Sequence, residues 1–117
     1  ALAHPLGAIY DVHHGMINAI LMPYVLKANY PEIESPIKRL AQYLNLKPQF
    51  NEFLDWILEL REEIGIPHAL GSIIPDESRF DEIGAMAVED PSANTNPILH
   101  DATTYASILR NAFHGDL

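Results

Sequence analysis

The apolar run from His14 to Asn29 constrains this chain more than any other segment. Met16, Ile17, Ile20, Leu21, Tyr24, Val25 and Ala28 recur at the three- and four-residue spacing of an α-helix. Ala19, Met22 and Leu26 fall on the remaining faces. A helix that is apolar nearly all round belongs at the centre of a fold, with other helices packed around it. Pro23 removes one amide donor and collides with the preceding turn, which predicts a kink. Asn29, Tyr30 and Pro31 are expected to stop the helix. No stretch alternates with period two over strand length. The expected class is therefore all-α, with five or six helices in a single domain, residues 1–117, and no internal repeat.

The rest of the chain reads as further helices. Ser35 followed by Pro36 has the pattern of an N-cap with proline at the first helical position, opening a short helix that presents Ile37, Leu40, Ala41 and Leu44. A longer helix is predicted from about Gln49 to Ile64, with Phe50, Phe53, Leu54, Ile57, Leu60 and Ile64 in one stripe that only Arg61 interrupts. Gly65 is a natural stop. Residues 65–70 read as a connector with a short turn. Asp76 is expected to cap a helix from Glu77 to about Val88, with Phe80, Ile83, Gly84 and Ala87 facing inward. DPSANTNP, residues 90–97, is rich in turn formers, and a last helix is expected from Thr103 to His114, ending at Gly115.

Charge and composition exclude several classes. Seven basic against sixteen acidic residues give a net charge of -9, the wrong sign for nucleic acid or an anionic membrane surface. The longest apolar run, Met16 to Leu26, is broken by Asn18 and Pro23 and falls short of the roughly 18–20 residues that span a bilayer. The chain has no cysteine, so thiolate ligation and disulfides are absent. Cytoplasm is the default compartment. The start at Ala1, without methionine and inside the most informative segment, suggests a piece of a longer chain.

Chemistry, if the chain carries any, concentrates near that start. His4, His13 and His14 surround an expected loop that holds Gly7 and closes on Gly15. Neutral imidazole ligates iron and zinc and serves as acid or base near neutral pH. Two or three histidines fall short of the three or four ligands of a dependable metal site, so from spacing alone the commoner reading is loop or helix-end histidines. Asp11 is a further oxygen donor by type, though a lone loop aspartate is more often a turn former. His68, His100 and His114 are dispersed and read as structural, and Glu59, Glu62 and Glu63 read as a solvated helix face. The glycines match no phosphate-binding pattern, and no serine sits in a nucleophile elbow.

AHPLGAIYDVHHGMINAILMPYVLKAN, residues 3–29, resembles the C-terminal, helical half of the iron-containing (group III) alcohol dehydrogenases. HPLGA, a His-Gly pair opening the helix, NAILMPYV with its proline and the closing asparagine follow that family's signature in order. The likeness continues through GIPHAL, residues 65–70, DESRFDEIGAMAVEDPSANTNP, residues 76–97, and TYASILRNAFHG, residues 104–115. It covers essentially the whole chain, and its first block is the most specific.

The resemblance implies a divalent metal, iron or zinc, between an N-terminal nucleotide-binding domain that binds NAD(P) and this helical domain. It implies His14, just before the helix-opening glycine, as one metal ligand, and His4 as a histidine near nicotinamide and substrate, a proton relay rather than a ligand. The family's other helical-domain ligand would fall just ahead of Ala1. His13 stands where proline is common, a departure that bears on which of the pair binds metal. Ser92 matches a position that lines the substrate pocket, and the substrate implied is a small alcohol or aldehyde. Maleylacetate reductase is a sibling reading, and a stand-alone helical binding module is the reading from another class. On the family reading, the face carrying His4, His14 and Ser92 should be open and apolar, and the chain alone should be inactive.

Overall fold

The computed structural model describes residues 1–117 and contains five α-helices, two short 3₁₀ turns and no strand. They are α1 (Ala3–Tyr10), α2 (His14–Tyr43), α3 (Phe50–Glu63), α4 (Phe80–Glu89) and α5 (Ala102–His114). The 3₁₀ turns cover Leu70–Ser72 and Pro91–Thr95. The all-α expectation holds. No helix is long and apolar enough to cross a membrane.

The central helix is where expectation and structure differ most. It does not stop at Asn29 but runs on through Pro31 and Pro36 to Tyr43, 30 residues and about 45 Å. Ser35 therefore caps nothing. Each proline deletes one amide donor, but both rings lie on the exposed side, where water can serve the freed carbonyls. Asn29, Ile37 and Ala41 are buried along the same stretch, and their packing holds the helix through both interruptions. Ile37 and Ala41 join Phe50, Phe53, Leu54 and Ile57 of α3 in a small apolar cluster. The first half of α2 belongs to a larger one with Leu6 of α1, Phe80 and Ile83 of α4, and Ile108 and Leu109 of α5. Leu6, Ile17, Ile20, Phe80, Ile83 and Leu109 are fully buried, each contributing about 1.5–3 kcal/mol relative to exposure.

Three further corrections follow from local chemistry. The segment holding His4 and Gly7 is helical, not a loop, because Pro5 stands in the first turn, where its missing amide has no partner to lose. Asp76 does not cap α4; its carboxylate accepts from the Ser78 amide and hydroxyl instead, and the helix starts only at Phe80. In α3, Leu60 and Ile64 are 41% and 65% exposed while Arg61 is buried. The inward row is Phe50, Phe53, Leu54, Ile57 and Arg61. Arg61 Nη2 donates to the carbonyls of Ile20, Pro67 and His68 at 3.1–3.3 Å, tying the connector to α2. Burial lowers the guanidinium pKa.

The helix ends were better anticipated. Gly65 (φ 80°) and Gly115 (φ 74°) take the left-handed conformation after α3 and α5. The amides of Ile66 and Asp116 reach back to the carbonyls of Arg61 and Asn111.

Candidate functional site

Asp11 (φ 53°) closes α1 in the left-handed conformation, its amide bonded to Gly7 O, and turns the chain back into α2. It acts as the turn former that its residue type suggests. That reversal lays His4, near the start of α1, beside His14, the first residue of α2. Their rings stack with centroids 5.0 Å apart and planes 27° from parallel. His13 is exposed just outside α2, and its carbonyl accepts the amide of Ile17.

The third participant comes from the far end of the chain. Asp90 caps the Pro91–Thr95 turn, with Oδ1 accepting from the Ser92 amide at 2.9 Å and the Ser92 hydroxyl at 2.5 Å. Its other oxygen, Oδ2, lies 2.7 Å from His4 Nδ1. The Ser92 hydroxyl, then His4, then the Ser92 amide hold the Asp90 carboxyl well below the usual carboxylate range. His4, His14 and Ser92 are thus brought into one neighbourhood, with Asp90 as the link that sequence reasoning missed. The Asp-Pro-Ser order, an acidic cap before a proline, was the available signal.

An open cleft of about 450 Å³ adjoins this group, between the chain start, α2 and the segment leading into α5. Leu2, Leu21, Met22 and Val25 line one side, and Ser92 and Asn96 belong to the polar part. Met22 is 47% exposed there, Leu2 and Leu21 are buried, and of the residues Ser92, His4 and His14 only Ser92 lines the cleft. The polar part is anchored by a reciprocal amide pair: Asn29 Nδ2 donates to Asn96 Oδ1 at 2.8 Å, and Asn96 Nδ2 donates back to Asn29 Oδ1 at 2.9 Å. His100 Nε2 lies 2.9 Å from the same Asn29 oxygen, and burial lowers its pKa. The buried amide of Asn29 therefore pins residues 96–100 to the middle of α2. Asn29→Ala would leave the Asn96 amide and His100 short of partners, an expected loss of about 1–3 kcal/mol measurable by urea unfolding.

The remaining histidines are structural contacts, as expected. His68 Nε2 meets Gly115 O at 3.1 Å and the Tyr24 hydroxyl at 3.3 Å, and His114 pairs with Glu77 at 2.6 Å. Nowhere do three His, Asp or Glu side chains gather closely enough to hold a metal ion. The donor set fits a shared metal site to which this chain adds an imidazole, not a self-contained one.

Residues 1–113 match the model of the Fe-containing alcohol dehydrogenase family, C-terminal part. The chain belongs to that family. A 1,3-propanediol dehydrogenase of Klebsiella pneumoniae is 33% identical over 97% of the chain, and one of Citrobacter freundii is 31% identical over the same share. An NADPH-dependent butanol dehydrogenase of Clostridium saccharobutylicum is 29% identical over 98% of the chain. A crystal structure of 1,3-propanediol oxidoreductase superposes with a TM-score of 0.88 at 30% identity, covering 96% of this chain and 31% of that one. The chain spans about a third of the length of these family members, 31–32%.

Proposed function

We propose that the chain is the helical half of a metal-dependent, NAD(P)-linked alcohol dehydrogenase acting on small alcohols and aldehydes. The observation that carries the reading is the meeting of His4, His14, Asp90 and Ser92 beside an open, partly apolar cleft. His14 is exposed and adds one nitrogen to a site whose other ligands are a second helical-domain histidine and side chains of a nucleotide-binding domain that also holds the nicotinamide pocket, none of them among residues 1–117. When bound, iron or zinc supplies Lewis-acid polarisation of the alcohol oxygen, and the nicotinamide takes the hydride. His4, with its ring 61% exposed, passes the alcohol proton to solvent. Leu2, Leu21, Met22 and Val25 exclude water from the substrate's carbon chain, and Ser92 borders its polar end. Relatives named for 1,3-propanediol and butanol support a short aliphatic substrate.

The test is a chimera in which this chain replaces the matching segment of the Klebsiella pneumoniae relative. Iron- or zinc-dependent oxidation of short alcohols with NAD or NADP supports the reading. A folded chimera that binds the nicotinamide cofactor yet turns nothing over with either metal refutes it.

The isolated chain is expected to be inactive and to hold metal weakly, because one imidazole without further ligands cannot retain a catalytic ion. Titration calorimetry with Zn²⁺ and Fe²⁺ should show no tight stoichiometric site. Tight one-to-one binding by the 117-residue chain would overturn that expectation.

A further inference from the structure

His4 makes one hydrogen bond to protein, from Nδ1 to Asp90 Oδ2 at 2.7 Å, and Nε2 has no protein partner. Asp90 is held more firmly than a surface carboxylate. Its side chain is 9% exposed, and Oδ1 receives both the amide and the hydroxyl of Ser92, so the carboxylate plane cannot swing away from His4. An ionised carboxylate only accepts hydrogen bonds, so the hydrogen of this contact belongs to the imidazole. The stack against His14 fixes the ring plane from the other side.

We propose that Asp90 is a positioning residue that locks His4 in the Nδ1–H tautomer, leaving Nε2 as its free acceptor. This is the minor form of a neutral histidine side chain in water, so the protein imposes it. The ten-residue spacing of His4 and His14 contains nothing that selects a tautomer; the selection comes from a carboxylate 86 residues away. Ser92 takes part at one remove. Its hydroxyl proton is committed to Asp90, so toward the cleft Ser92 offers acceptor lone pairs rather than a donor. The consequence for catalysis, Nε2 as the atom that takes the alcohol proton, rests on the dehydrogenase reading above; the tautomer itself does not.

Two measurements separate these statements. Long-range ¹H–¹⁵N correlation spectra of the labelled 117-residue chain, recorded about two pH units above the usual imidazole value, report the tautomer of each histidine. His4→Gln assigns the His4 signals by their loss. The wild-type His4 should show the Nδ1–H pattern. In Asp90→Asn, Oδ1 keeps the Ser92 bonds while the amide nitrogen turns a donor toward Nδ1, and the pattern should switch to Nε2–H. An Nε2–H His4 in the wild type, or an Nδ1–H pattern that Asp90→Asn leaves unchanged, overturns the proposal. The wild-type spectrum decides even if the variant does not fold. In the active chimera, Asp90→Asn should lower kcat at least tenfold with little change in KM, as loss of an orienting partner does. A tautomer switch without loss of kcat would support the positioning assignment and sink the relay role of His4.

Discussion

Gly84→Ala is expected to cost at least about 2 kcal/mol of stability, although alanine is the better helix former. A Cβ at Gly84 would overlap the carbonyl oxygen of Ala102 and stand 3.2 Å from the amide nitrogen of Ala106, both backbone atoms of α5. Helix propensity favours alanine by about 1 kcal/mol. Overpacking typically costs about 1–3 kcal/mol, more when the obstacle is backbone rather than a flexible side chain. The clash wins, because it is relieved only by moving α4 off α5, which opens the cluster around Phe80, Ile83 and Leu109. The melting temperature should fall on the order of 10 °C. Gly7→Ala is the control. A Cβ there meets Val12 O at 3.5 Å and Ile17 Cδ1 at 3.9 Å, ordinary contacts, so the change should leave stability level or raise it by about 0.5–1 kcal/mol. Equal unfolding midpoints for the two variants in urea would show that the α4–α5 approach is looser than this packing implies.

The second large effect concerns His14. In the active chimera, His14→Ala should reduce turnover by more than about 100-fold, beyond the loss that follows removal of a residue merely supporting a ligand. Metal content measured by atomic emission should fall with it. The neighbouring His13→Ala should stay within a few-fold of the parent in both. The stack of His14 on His4 favours this order, since it places His14 beside the His4–Asp90 pair while His13 lies outside the helix. The reverse order, with His13→Ala emptying the site, would move the ligand assignment by one residue and remove the stack from the argument.

These two residues differ in how readable they were. His14, His4 and Ser92 were named as candidates through the family resemblance that their local motifs carry, and the structure brings the three into one neighbourhood. Gly84 was read correctly as inward-facing, but its intolerance of a methyl group was not readable, because the obstacle is the backbone of another helix. Asp90 was passed over within a stretch read as turn-forming and, at Ser92 alone, as pocket-lining. Its partner His4 lies at the opposite end of the chain, and no local pattern announces such a pair.

Arg61 shows the boundary from the other side. The sequence flagged it as the one charged residue in an apolar stripe, and the structure buries it while leaving Leu60 and Ile64 at the surface. Three carbonyls from α2 and the connector explain the exchange. Hydrophobic periodicity says which side of a helix turns inward, but not whether a polar group already waits there.

By itself the sequence determined the helical class, the central position of residues 14–29, the glycine stops at 65 and 115, and the clustering of histidines near the chain start. Each of these depends on spacing within a turn or two of helix, where neighbours in sequence are neighbours in space. Only the tertiary structure decided that α2 continues through Pro31 and Pro36, that α4 and α5 touch at Gly84, and that Asp90 meets His4. Those outcomes depend on free energies gained between distant segments, which outweigh local preference only once the chain has closed on itself.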